Sequence, residues 1–370
     1  MAGRAERVSA RALGRATLAR QLLLERASNL TTLDAIERLV GMQGQAPHAP
    51  YVGLWTRLED FRPEQLSELI VSRDVVRAPL MRATIHLVSA RDCLSLRPAI
   101  QPVLERSFGG APFDISGAET AALLDAGRAF LAEHPSTRPE LGAALAEAWP
   151  DVDSASLAQA ITYLVPVVQV TPRGVWGRSG AARWTTVEAW LGQPLADCPS
   201  LEVVVLRYLA AFGPATVRDV QTWSGLTRLA EVADRLRPRL RVFRDEHGAE
   251  LLDLPEAPRP DPETPAPPRF LPEYDNLLLS HADRTRFIAG GERVPLPPGP
   301  GARSGTLLED GVLTATWRIT ITRRDAATLV LTPLRSLRAR KATAAEGERL
   351  LRFVAPDVEH REVRFAARSG

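Results

Sequence analysis

The order helix, helix, paired strands recurs three times along this chain, and that recurrence limits the folds open to it more than any single motif. In the first round a helical pattern runs from about Ser9 to Arg26 with Leu13, Leu18, Leu22 and Leu24. A second opens at Asn29-Leu-Thr-Thr, where Asn29 or Thr31 can cap, carries Leu33, Ile36 and Leu39, and ends near Gly41. A third spans Pro63 to Ser72, and the strand-like runs of VVRAPLMRATIHLVSA follow it. The second round has helices from Ser136 to Trp149 and from Asp153 to Leu164, then VVQVTPRGVWGRSGAARWTTV. The third has helices near Leu201–Phe212, Thr216–Ser224 and Leu226–Leu236, then LRVFRDEHGAELLDL, where Asp245–Gly248 reads as a hairpin turn. Helices followed by a strand-pair wing are the pattern of the winged helix, a helix-turn-helix variant.

The expected fold is therefore α+β, with three tandem winged-helix units at 1–115, 116–197 and 198–254. A proline-rich connector, PEAPRPDPETPAPP, then occupies 255–268, because proline fits neither a helix interior nor a central strand. A β-rich region fills 269–370, with a last helix at Ala342–Phe353. A length of 370 residues agrees with several domains.

Composition removes several classes of function. The chain is 45% hydrophobic and 24% charged, and it has no apolar run long enough to span a membrane, so a soluble cytoplasmic protein is expected. The basic N-terminus lacks the apolar core of a signal peptide. Cys93 and Cys198 stand alone, which supports neither a disulfide framework nor a zinc site. The net charge of +2 says little about partners. The identity of the cations says more: Lys341 is the one lysine among 46 basic residues. Arginine reads phosphates and grooves well but forms no Schiff base, so lysine-based covalent catalysis is nearly excluded.

Two places carry candidate chemistry. In GMQGQAPHAPYVGLW, Gln43 and Gln45 stand i, i+2 where a helix gives way to extended chain. On an extended segment such residues share a face, so both amides can project into one space. One of them can equally satisfy the carbonyls at the helix terminus while the other is solvated. His48 and Tyr51 follow closely. In the first wing, Thr84 and His86 share a face opposite Ile85 and Leu87, where a histidine can also simply pack. From Trp317 to Lys341, seven cations including Arg318, Arg323 and Arg324 face one acid, Asp325. On a β scaffold they could track phosphates or form a solvated face. No P-loop, dinucleotide fingerprint, HExxH, GxSxG or paired catalytic carboxylates are evident.

Three separated stretches, LVGMQGQAPHAPYVGLWTRL, MRATIHLVSARD and LPEYDNLLLSHADRTR, together resemble the AlkZ/YcaQ-like family of bacterial tandem winged-helix proteins. The likeness spans most of the chain in the right order. Gln43-Gly44-Gln45 is similar to the Gln-Φ-Gln motif of the AlkZ branch, with glycine where the family has a larger apolar residue.

The resemblance implies a monofunctional DNA glycosylase for N7-alkylated purines, including bulky adducts and interstrand crosslinks from alkylating antibiotics. It implies a concave scaffold around double-stranded DNA, a monomer, no cofactor and no metal. Gln43 and Gln45 would then position the attacking water, with Thr84 and His86 orienting phosphate or sugar, and with His48, Arg318, Arg323 and Arg324 touching DNA. A groove-probing β-hairpin is expected at the Pro297–Gly305 loop or the Arg323–Asp325 turn. Winged helices also serve transcriptional regulators, which bind an operator and release no base. A third possibility is sequestration of an alkylating drug in the absence of DNA.

Overall fold

The computed structural model describes residues 6–288, 304–322 and 325–367. Of the residues singled out above, Arg323, Arg324 and most of the Pro297–Gly305 loop lie outside the described residues.

The strands, in chain order, are β1 (Glu6–Arg7), β2 (Met42–Gln43), β3 (Val75–Pro79), β4 (Ile85–Ser89), β5 (Val167–Gln169), β6 (Trp184–Thr186), β7 (Arg241–Arg244), β8 (Glu250–Asp253), β9 (Arg269–Leu271), β10 (Gly305–Glu309), β11 (Val312–Thr322), β12 (Ala326–Pro333) and β13 (His360–Phe365).

The capping residues act where the sequence places them. Ser9 caps Ala10–Arg20, which stops six residues short of the expected Arg26. Thr31 and Asp34 form a capping box at the start of Thr32–Arg38. Thr137 with Glu140, and Thr216 with Asp219, repeat the device at Arg138–Ala146 and Val217–Ser224. Besides the short Val187–Leu191, three helices have no counterpart among the elements expected from the sequence. They are Ala49–Trp55, Thr120–Glu133 and the 20-residue Ala90–Gly109, which contains Pro98 and Pro102.

The strand pairs expected as separate wings do not remain separate. β3 and β4 pair antiparallel, and β3 also pairs with β5 at Arg77↔Gln169, so wings one and two merge into a single sheet of order β2-β4-β3-β5-β6. The third wing, β7 and β8 joined through the expected turn, takes β1 as a parallel edge strand. β9 to β13 make a third sheet of order β13-β12-β11-β10-β9, packed on the helix Arg340–Val354.

Burial ties the units together. One core joins Val76, Val88 and Leu104 to Val204, Tyr208 and Trp223. Another joins Ile36, Leu54 and Leu66 to Phe270, Leu329 and Leu350. The second unit has a core largely its own, around Leu123, Leu157, Ile161 and Trp184. Buried ion pairs add directional links: Arg20 reaches both oxygens of Asp253 at 2.6 and 2.8 Å, and Arg57 reaches both of Asp275 at 2.9 Å. Among the described residues no helix is long and apolar enough to cross a membrane.

β11 and β12 form the longest hairpin described, in register from Ala315↔Pro333 to Thr322↔Ala326. Along β11 the residues Arg318, Thr320, Ile321 and Thr322 are exposed, whereas β12 stays covered to its far end, with Ala327 fully buried and Ala326 paired to His360 of β13.

Candidate functional site

The glutamine segment is shaped by the way the preceding helix ends. Gly41 takes φ +80° and its N–H donates to Ile36 O at 3.0 Å, closing the helix in a left-handed turn. A Cβ there would lie 2.4 Å from Val88 Cγ1, so only glycine lets the chain turn this close to β4. The chain then pairs with β4 as β2, with Gln43 opposite His86 and Met42 opposite Leu87. Gly44 N–H donates to Ile85 O at 2.8 Å, which extends the pairing by one residue.

The expected extended run is shorter than the sequence suggests. By Ala49 the chain is helical again, because Pro50 falls in the first turn, where a missing N–H costs nothing, and Tyr51, Leu54 and Trp55 are all buried. His48 sits at the start of that helix, exposed, with its ring edge-on to Trp176 at 5.6 Å. Its pKa is lowered by partial burial and by the nearby Arg77 and Arg173.

The two glutamines are not equivalent. Gln43 is 6% exposed, and its Oε1 accepts from Arg82 Nη2 at 2.8 Å. Gln45 is exposed, and its Oε1 accepts from the Ile85 backbone N–H at 3.2 Å. Both partners can only donate, so each amide must turn its oxygen inward and its NH2 outward. Each oxygen keeps a second lone pair for another donor.

Arg82 organises the site and went unnoticed in the sequence. It lies in a short turn, Met81–Ala83, with φ 56° and ψ 22°, a conformation that a non-glycine residue holds only when its surroundings enforce it. The same Nη2 also donates to Asn276 Oδ1 at 3.0 Å, and Nη1 donates to Trp223 O at 2.6 Å. One guanidinium thus joins β2, the Asn276–Leu278 turn and the helix Val217–Ser224. Asn276 Nδ2 completes the ring by donating to Gly41 O at 3.4 Å. The adjacent Asp275, held by Arg57, anchors the turn that presents Asn276. Burial, and secondarily Arg284, lowers the Arg82 pKa to about 10, so it remains a cation at neutral pH.

His86 is fully buried on the same sheet face as Gln43. Burial, reinforced by Arg82, pushes its pKa down to about 3. The imidazole is therefore neutral at physiological pH and cannot offer a phosphate a positive charge. Its Nδ1 lies 3.1 Å from Thr84 O, an acceptor, so Nδ1 carries the proton and Nε2 is a bare acceptor. Nε2 has no hydrogen-bond partner. Thr84 precedes β4, and its hydroxyl is committed to Met81 O at 3.1 Å. A cavity of about 10 Å³ lies behind Gln43, lined by Met42, Gln43, Arg57, Asp275 and Asn276. That is about the space of one water and far below the size of a purine.

Arg318, on β11, is exposed and donates to Ser304 Oγ at 2.7 Å. Lys341 is exposed in the first turn of Arg340–Val354. Among the described residues no group of three or more His, Cys, Asp or Glu could hold a metal ion.

The scaffold is α+β, with the buried Gln43 amide and the neutral His86 imidazole on one sheet face. The chain is a member of the AlkZ-like DNA glycosylase family: the family model described as "DNA glycosylase AlkZ-like" matches residues 36–353. Membership makes it a DNA-binding glycosylase of DNA repair. The fold is similar to that of Streptomyces sahachiroi DNA glycosylase AlkZ, with a TM-score of 0.74 at 19% identity, covering 97% of this chain and all of that one. A comparison with curated proteins finds no match.

Proposed function

We propose that this glycosylase hydrolyses the N-glycosidic bond of N7-alkylated purines in duplex DNA, with Gln43 and Gln45 positioning the water. The observation that carries the reading is the pairing of Gln43, its oxygen held by a donor-only guanidinium, with a neutral His86 on the same sheet face. Such a site can orient water but cannot protonate a leaving group. N7-alkylation supplies what the site lacks, because the base is already a cation and departs neutral. The C1′–N9 bond breaks as the sugar takes on positive charge, the water oxygen bonds to C1′, and its surplus proton passes to solvent.

Placing the water by hydrogen bonds is the main task left to the protein. The second lone pair of Gln43 Oε1 is an acceptor suited to that water, while His86, fully buried, backs Gln43 from the same sheet face. The NH2 groups of Gln43 and Gln45 are donors suited to sugar or phosphate oxygens. His86 thereby takes a role different from the phosphate contact expected of it, since it holds no charge.

The cavity that Gln43 lines is only water-sized and Gln45 is exposed at the surface, which favours attack on a nucleotide approached from the groove over burial of a flipped base. Such an arrangement would accept bulky adducts and crosslinked bases. The β11–β12 hairpin, with Arg318 exposed along β11, is the element we assign to the DNA groove. With Lys341 exposed on a distant element and no lysine in the motif segments, a Schiff-base lyase step is not expected.

The test is single-turnover release of N7-methylguanine, or of a bulky N7 adduct, from duplex DNA. Gln43→Ala and Gln45→Ala are each expected to lower the rate constant tenfold or more while duplex binding persists. Full activity in the double variant, or borohydride trapping of a covalent enzyme–DNA adduct, refutes the assignment.

A further inference from the structure

Gly44 separates the two glutamines, and its backbone does not require glycine, since it is absent from the residues with positive φ. What occupies its space is a side chain from the opposite face of the sheet. A Cβ on Gly44 would lie 3.0 Å from Arg77 Nη1 and 3.7 Å from its Cζ. Arg77 is on β3, one strand beyond β4, in the row that holds Met42, Leu87 and Gln169, so it lies beneath β2 on the side away from Gln43. It is 2% exposed. Its Nη2 donates to Gly44 O at 2.8 Å and its Nε to Gln169 Oε1 at 3.2 Å.

The remaining nitrogen, Nη1, is buried without a partner and lies nearest the position a Cβ at residue 44 would take. No carboxylate bonds to this guanidinium among the hydrogen bonds and ion pairs described. The nearby Arg173 opposes its charge, and burial with that repulsion brings its pKa down to about 10. A second glycine clears its path: a Cβ on Gly174 would lie 2.6 Å from Arg77 Cδ. A buried, incompletely satisfied cation is costly, and an apolar side chain of the same volume would be cheaper if filling space were the only need. What the guanidinium adds is a directed hold on the carbonyl between the two glutamines.

We propose that Arg77 is a positioning residue for the Gln43–Gln45 segment and that Gly44 and Arg77 are a matched pair. The guanidinium takes the volume that a side chain at position 44 would fill and holds that residue's carbonyl in place. It also reaches through Gln169 into the second wing, so β5 helps to set where the glutamines stand. This inference rests on the functional reading above, and its test separates the two.

Four proteins are compared with the full-length wild type: G44M, R77A, the double variant R77A/G44M, and R77M, which keeps bulk but loses the donors. Each is assayed for single-turnover release of N7-methylguanine, for duplex affinity and for its urea midpoint. G44M, R77A and R77M are each expected to lower the rate constant at least tenfold with duplex Kd within about twofold of wild type. The folded fraction of each variant, read from its circular dichroism under the assay conditions, separates mispositioning from misfolding.

In the R77A background G44M is expected to cost less than twofold more, because the obstructing group is gone. A wild-type rate in R77M, or the same loss from G44M in both backgrounds, overturns the pairing. Should the wild type release no base at all, the glycosylase substrate reading fails but the pairing is still tested. G44M must then lower the urea midpoint in the wild-type background and leave it unchanged with R77A, and equal drops in both refute it.

Discussion

Replacing Arg82 by methionine probes the candidate site most directly, because that guanidinium holds Gln43 and Asn276 at once. Methionine preserves much of the volume and removes donors that reach Gln43 Oε1 at 2.8 Å, Asn276 Oδ1 at 3.0 Å and Trp223 O at 2.6 Å. A hydrogen bond from a charged donor contributes about 1.5–3 kcal/mol. If the bond to Gln43 serves to select one amide orientation, its loss raises the barrier by about that amount. At about 1.4 kcal/mol per factor of ten, the rate constant falls by roughly tenfold to a hundredfold.

Stability should change less than activity, since removing a cation that no carboxylate bonds to offsets part of the lost bonding. Arg82→Lys separates charge from geometry: an ammonium keeps the charge but lacks the planar fork, and its rate should fall between those of R82M and wild type. Asn276→Ala should weaken release more mildly, because Arg82 then keeps Gln43 but loses its lateral support. The assay is single-turnover release of an N7-alkylguanine under enzyme excess, with duplex affinity measured in parallel. An R82M rate constant within twofold of wild type would show that Gln43 needs no such orientation and refute the role given to Arg82.

Two further expectations follow from buried ionisable groups. His86 has an ordinary pKa of 6.5 when exposed and about 3 in the fold, so the folded state resists protonation that the unfolded chain accepts. Its contribution is complete above about pH 6.5 and is lost as pH falls toward 3, with a slope of at most about 1.4 kcal/mol per pH unit. Urea midpoints should therefore drop between pH 7 and pH 5, and less steeply in His86→Leu; an unchanged slope in that variant contradicts the buried neutral imidazole. Asp275→Ala strips the partner from Arg57, whose side chain is 2% exposed, and should cost about 3–5 kcal/mol of unfolding free energy. It should also slow base release, because the adjoining Asn276 turn loses its anchor; equal urea midpoints for D275A and wild type would refute this.

Much of the local structure was legible because it depends on near neighbours. Thr31, Thr137 and Thr216 cap helices through residues three positions away, and Asp245 to Gly248 close a hairpin within themselves. The helix Ala90–Gly109 was not legible, since Pro98 and Pro102 argue against it locally and burial of Leu96, Ile100, Val103 and Leu104 overrides them. The same override makes Ala49–Trp55 helical, where two prolines suggest an extended run.

The sequence by itself determined most of the capped helices and the strand pairs that follow them, the α+β class, the absence of lysine from the candidate motifs, and the two glutamines as the segment to watch. These are properties of residue type and short spacing. Tertiary structure alone decided that two wings share one sheet at Arg77↔Gln169, that Gln43 is buried while Gln45 is exposed, and that residues 82 and 276 meet over Gln43. It also decided that His86 is neutral, because its charge state follows from burial beside Arg82 and not from its place in a strand. Periodicity tells which face a side chain takes on its own element; which distant donor fills the space above that face is decided only when the elements pack.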